Sequence, residues 1–183
     1  ARQLLQAMSR RFAKKPSKST LSTSRVQAFH LYRQSQLQRA KTLGMLLVPL
    51  DENYAVTLRR APDVKAACLE AYGPSSAPSI LSLRALLGVI GAHEWRRKGI
   101  EIPVLGGRIH PHYGVFSPVR GEYLHLVAEA PLGPVKRAFD IGTGTGVIAA
   151  ILARRGVAEV VATDHHPRAL ICARENIAQL GLE

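Results

Sequence analysis

Apolar positions recur at helical spacing from the first residues of the chain. Leu4, Met8 and Phe12 fall at i, i+4 and i+8 with basic residues opposite, which predicts a short amphipathic helix over 3–12. Residues 14–24 are polar and read as a linker, and a second helix over 25–41 carries Phe29, Leu31, Leu37 and Ala40. The apolar run 44–50 contains Pro49 and suggests a turn into a short strand. A short helix over 63–71 closes on Gly73-Pro74, followed by a breaker-rich loop over 75–79. Ser79 then resembles the cap of a long helix over 80–98, whose Leu83, Leu86, Leu87, Ile90 and Ala92 form an apolar face ended by Gly99. Segments 100–105 and 108–110 flank Gly106-Gly107, a two-residue turn that favours a β-hairpin. Further on, the pattern predicts a helix over 122–129 ended by Pro131, a buried strand over 139–141, a helix over 147–155, a strand over 161–164 and a helix over 167–180. Pro167 opens that last helix and Gly181 follows it. Strand and helix alternate, so the fold class is α/β. No internal repeat is visible.

The first of the late strands ends in Asp140 and runs into Gly142-Thr143-Gly144-Thr145-Gly146, and the second ends on Asp164. A glycine loop between strand and helix cradles a nucleotide. A dinucleotide fingerprint would place the third glycine one residue later, where Val147 stands, and no Lys-Ser or Lys-Thr follows, so a phosphate-gripping P-loop is excluded. A carboxylate at Asp140 would repel a pyrophosphate and attract a cation. S-adenosylmethionine, with its sulfonium and amino groups, is such a ligand, and Asp164 can accept hydrogen bonds from its ribose hydroxyls. The glycines let the backbone approach the methionine part. A loop that merely packs a helix on a strand would leave both acids unexplained.

From about residue 93 to 182 the chain resembles the class I S-adenosylmethionine methyltransferases, in the branch of the protein-(glutamine N5) and rRNA amino-group enzymes. Residues 140–146 look like their first motif and Asp164 like their ribose-binding acid. Residues 114–123, which include Phe116, Pro118, Arg120 and Glu122, look like the proline-centred segment that lies over the cofactor there. His165 stands where the adenine edge would be. The resemblance implies S-adenosyl-L-methionine as cofactor, held by Asp140, Gly142, Thr143, Gly144, Thr145, Gly146, Asp164, His165, Phe116 and Pro118. It also implies the start of a Rossmann-like sheet, preceded by a mainly helical N-terminal domain and a linking hairpin. The methyl acceptor would be an amide or exocyclic amino nitrogen, in a protein glutamine or an rRNA base. The branch holds that acceptor with an Asn- or Asp-Pro-Pro-aromatic motif after its fourth strand, which residues 1–183 do not contain. The catalytic residues are therefore left unknown, the core reads as incomplete at its C-terminal end, and this segment of a longer protein is expected to be inactive alone.

Charge adds a second theme. The formal net charge is +12, and residues 1–50 hold ten of the basic side chains (Arg2, Arg10, Arg11, Lys14, Lys15, Lys18, Arg25, Arg33, Arg39, Lys41) without one acid. Such an arm gains affinity for a polyanion by counterion release, so RNA, the ribosome or another component of translation is the expected partner. A solvated tail or an organellar transit segment is the alternative for the arm, and a non-catalytic RNA-binding module on a truncated methyltransferase scaffold is the alternative for the whole. The expected division is a basic helical arm over 1–50, a helical domain over 51–99, the hairpin over 100–112 and the methyltransferase part over 113–183. No apolar run is long enough for a membrane helix, and Cys68 and Cys172 lack the spacing of a disulfide framework or zinc site, which fits a soluble protein of the reducing cytoplasm. His110 and His112 alternate but have no third ligand nearby, so no metal is expected. Trp95 reads as a packing residue.

Overall fold

A computed structural model describes residues 2–13, 24–118 and 121–182. It is a mixed α/β chain that divides into two compact units, Ala1–Gly88 and Val89–Glu183. Most of the linker expected over 14–24, together with Arg120, lies outside the described residues.

In the first unit, α1 (Arg2–Ala13) packs on α2 (Arg25–Gly44). Ser24 caps α2 in a capping box. Its hydroxyl accepts from the Gln27 amide at 3.3 Å, and the Gln27 side chain accepts from the Ser24 amide at 3.3 Å. Strand β1 (Leu47–Leu50) follows and alternates exposed and buried positions, so that Val48 and Leu50 point inward. Helix α3 (Lys65–Tyr72) buries Ala67, Cys68 and Ala71, and ends at Gly73 with φ 80.

The helix expected from residue 80 begins later. Residues Ser79–Ser82 form β2, antiparallel to β1 with Pro49 opposite Ile80. The start of α4 (Leu83–Lys98) is capped by Ser82, whose Oγ accepts from the Ala85 amide at 3.1 Å, and not by Ser79. The register sets Leu81 opposite Val48 in β1, and Ile80 is left 66% exposed, which a helix-face residue of the core would not be.

The second unit opens on the remainder of α4, closed by Gly99 at φ 68. Strands β3 (Ile100–Ile102) and β4 (Gly107–Ile109) form the expected hairpin, but not through a Gly-Gly turn. Gly107 already pairs with Ile102, and the chain reverses through a 3₁₀ turn over Pro103–Leu105 closed by Gly106 in the left-handed region. Pro103 has no N–H for a ladder and its fixed φ starts the turn. Gly107 packs beneath α7, where a Cβ would lie 2.7 Å from Leu180 Cδ2, the movable end of that side chain.

Helix α5 (Glu122–Glu129), strand β5 (Arg137–Ile141), helix α6 (Val147–Arg154), strand β6 (Glu159–Thr163) and helix α7 (Pro167–Gln179) complete the unit. The two strands are parallel, Asp140 opposite Ala162, with α6 as their crossover. Ile102, Leu105 and Ile109 of the hairpin pack with Leu124 of α5 and with Val147, Ala150 and Ile151 of α6. The helix that follows the glycine loop is thereby fixed from one side. Arg155 secures the same region by donating to the carbonyls of Val127 and Ala130 at the end of α5, where the last carbonyls have no helical partner. Among the described residues no helix is long and apolar enough to cross a membrane.

Candidate functional site

The loop between β5 and α6 is held from below by Asp140. Its carboxylate is buried, 8% exposed, and Oδ2 accepts from Thr143 Oγ1 at 2.7 Å and from the Ala149 amide at 3.1 Å. Helix α6 has no side-chain cap of its own, so Asp140 satisfies one of its first amides from the neighbouring strand and sets a negative charge at the positive end of the helix. The carboxylate that the sequence placed in the cleft thus lies beneath the loop.

Strand β6 holds the loop from the other side. The amides of Gly142 and Thr143 both donate to the Thr163 carbonyl at 2.8 Å. One residue later Asp164 takes over: Oδ1 accepts from the His166 amide at 2.9 Å and Oδ2 from the Gly144 amide at 3.0 Å. The His166 amide first, then the Gly144 amide, hold this carboxyl below the usual carboxylate range, and the adjoining imidazoles of His165 and His166 add to the effect against the opposing pull of desolvation.

The three loop glycines have φ of 79, 54 and 82, and each has different surroundings. A Cβ on Gly144 would sit 3.1 Å from the Phe116 carbonyl oxygen, so the proline-centred segment lies directly over the loop. A Cβ on Gly146 would meet Ala173 Cβ at 3.0 Å, which makes this glycine a requirement of α7 packing. Gly142 is exposed and faces open space within 4 Å. Gly146→Ala therefore combines a left-handed backbone with a steric clash and should destabilise the second unit by about 1–3 kcal/mol. Trp95, the chain's single tryptophan, belongs to that unit, so urea unfolding followed by its fluorescence measures the change. An unaltered midpoint would show that α7 yields at no cost.

The structure brings Asp140, Thr143, Gly144, Asp164 and Phe116 together around the loop. Thr145 is buried too, and its carbonyl accepts from Asn176. Phe116 is 72% exposed, Pro118 is buried, and between them Ser117 Oγ is buried without a partner among the described residues. The His165 side chain is 96% exposed, Nδ1 3.3 Å from Asp164 Oδ1. Glu122 is exposed in the first turn of α5.

One residue beside the loop escaped the sequence reading. Asn176 is 1% exposed in α7, donates through Nδ2 to the Thr145 carbonyl at 3.0 Å and accepts at Oδ1 from the His110 amide at 2.7 Å. It joins the loop to the segment that leads into Phe116. Tyr123, the last residue of the segment 114–123, has its phenol raised by burial and further by the Asp140 charge.

His110 and His112 serve α7 and α4. His112 Nε2 lies 2.7 Å from Glu175 Oε2, which also receives Arg96 Nη2 at 3.2 Å, and His110 Nδ1 lies 2.6 Å from the Arg96 carbonyl. Burial alone would raise the Glu175 carboxyl, but the hydrogen bond and charge of His112, with Arg96, bring it below its ordinary value. Among the described residues no group of three or more His, Cys, Asp or Glu is placed to hold a metal ion.

The stretch from β4 through the loop and Asp164 to the end of α7 is also where this chain is similar to known proteins. Residues 107–183 match the methyltransferase small domain. A ribosomal protein L11 methyltransferase of Geobacter sulfurreducens is 43% identical over 60 residues, which are 33% of this chain and 20% of that protein. The ribosomal protein L11 methyltransferase of Symbiobacterium thermophilum is 46% identical over 50 residues, 27% of this chain and 16% of that one. A release factor glutamine methyltransferase of Cereibacter sphaeroides is 45% identical over 64 residues, 34% of this chain and 23% of its own length. The matched segments therefore span only about a fifth of these curated relatives. Both flanks of the loop lie inside the matched residues 107–183, as do Phe116, Asp164 and Asn176.

Proposed function

We propose that the chain is the cofactor-binding part of an S-adenosylmethionine-dependent methyltransferase acting on an amide or amino nitrogen of a translation-related macromolecule. The observation that carries this reading is the carboxylate of Asp164, anchored by two backbone amides beside an open glycine at the ends of two parallel strands. The surroundings fit that cofactor. Each Asp164 oxygen has an acceptor position left after binding one amide, enough for a pair of ribose hydroxyls. Gly142 leaves room for the methionine part, and the orphaned Ser117 hydroxyl supplies a polar atom without a partner. His165, beside Asp164, and Phe116, whose carbonyl lies near Gly144, carry exposed rings available for the adenine and for cover. Asp140 beneath the loop favours a cationic ligand through space.

Bound there, S-adenosylmethionine supplies an electrophilic methyl group on a sulfonium. The chain's own residues contribute orientation: Asp164 and the glycine loop fix one end, and the segment of Phe116 and Pro118 closes over it. The acceptor is proposed by class, on the strength of relatives named for ribosomal protein L11 and for release factor glutamine. Strands β5 and β6 with their crossover α6 support reading residues 113–183 as the start of a Rossmann-like sheet, after a basic arm over 1–50, a helical domain over 51–99 and a hairpin over 100–112. The buried free thiols of Cys68 and Cys172 support a cytoplasmic setting.

Calorimetric titration of the protein with S-adenosylmethionine, NAD⁺ and ATP in turn tests the reading. Saturable binding is expected for the first alone. Binding of NAD⁺ or ATP in its place would assign the loop to a phosphate-bearing nucleotide and overturn the proposal.

A further inference from the structure

In the first unit α1, α2 and the first turn of α4 enclose an open groove of about 790 Å³. Arg33 and Arg39 of α2 and Arg84 of α4 line it, with Gln6, Ser9 and Gln36 between them. None of the three arginines meets a carboxylate among the described residues: Arg39 donates to Ser9 Oγ, and Arg33 lies over the Phe29 ring at 5.9 Å. Neither α1 nor α2 contains an acid, so the groove carries an uncompensated positive field. At about 3.6 residues per turn, Phe29, Arg33, Gln36, Ala40 and Leu43 follow one stripe along α2. The groove therefore runs out onto Phe29, 56% exposed, beside Tyr32, 61% exposed.

From this arrangement we infer that the groove is a binding site for single-stranded RNA. Arginines without acidic partners engage successive phosphates, and the exposed rings at its end offer faces on which bases stack. The amides and hydroxyl between the arginines can donate to phosphate or sugar oxygens. An anionic membrane is the other polyanion such a surface could meet, but an in-plane membrane helix separates its apolar and basic faces. On α2 the two kinds interleave, with Arg39, Tyr32, Arg25, Phe29, Arg33, Val26 and Lys41 succeeding one another around the axis. This groove belongs to the first unit, and the glycine loop to the second.

Fluorescence anisotropy of a labelled oligouridylate with the 183-residue protein, over a series of salt concentrations, provides the test. Arg33→Gln/Arg84→Gln should weaken binding by about five-fold or more in moderate salt and flatten the slope of log affinity against log salt by about 1.4, at about 0.7 for each phosphate no longer neutralised. Gln36→Glu, which sets a carboxylate in the groove without touching its arginines, should weaken binding as well and serves if the double variant fails to fold. Arg59→Gln/Lys65→Gln removes the same net charge outside the groove and should change affinity by less than about two-fold. Absence of RNA binding by the unaltered protein, an equal loss in the two double variants, or sedimentation with phosphatidylserine vesicles in place of RNA binding would each overturn the assignment.

Discussion

Asp164→Ala should raise the dissociation constant for S-adenosylmethionine by about ten- to a hundred-fold, the effect of removing a charged hydrogen-bonding group from a ligand site. Two losses combine in that figure. The ribose loses its acceptor, and the amides of Gly144 and His166 lose the carboxylate that fixes the loop against α7. Asp164→Asn keeps one oxygen acceptor and should fall between the two proteins. The pH dependence follows from the direction of the Asp164 shift. A carboxyl whose folded pKa is depressed contributes stability that is fully present above its unfolded value and is lost as pH falls through the folded value. The grip of Asp164 on the loop should thus hold throughout the neutral range and fail only below the pH at which an ordinary aspartate protonates. Calorimetry at neutral pH decides the matter, since wild-type affinity in the alanine variant would remove Asp164 from the site.

Asn176→Leu should destabilise the second unit by roughly 2–5 kcal/mol, although it replaces a polar side chain by an apolar one of similar size in a buried position. The Thr145 carbonyl and the His110 amide would both be left without their partner, and each buried orphan costs about 1–3 kcal/mol. Asn176→Asp retains the acceptor for His110 but sets a carboxylate against the Thr145 carbonyl, so it should not rescue the protein. Urea unfolding followed by Trp95 fluorescence distinguishes these outcomes, and a midpoint for Asn176→Leu equal to that of the unaltered protein would show that the bridge is dispensable.

The strand, loop, helix and strand from Arg137 to Thr163 were legible in their order because each is set by local chemistry: a short apolar run, glycines where φ is positive, and a helix of small and branched residues, although Phe139 and Ile141, expected to be buried, are 62% and 77% exposed. Strand β2 was not legible for the opposite reason. Ile80 and Leu81 fit the helical stripe of α4 as well as they fit a strand, and only the distant partner β1 selects between them. Ser79 and Ser82 are equally good caps on paper, and that pairing decides which is used. Asn176 interrupts a stripe of Ala169, Cys172 and Ala173, and reads as a break in the buried face until its two partners, 31 and 66 residues earlier in the chain, are seen beside it. The inward turn of Asp140 belongs with these, since its partner amide lies nine residues on, in the helix it caps.

The two thiols have a consequence for kinetics. Cys68 and Cys172 are both fully buried, burial raises the thiol of each, and one lies in each compact unit. A maleimide or disulfide reagent attacks the thiolate and needs access to it, so neither residue can react until its surroundings open. Cys172 receives the His112 amide and donates to the His110 carbonyl, which makes its alkylation a clock for the separation of α7 from the segment that follows β4 and leads into Phe116. Cys68, in α3, times the other half of the chain by the same reaction. A single labelling experiment, resolved by mass, therefore reads the opening rates of both units in one sample without altering a residue.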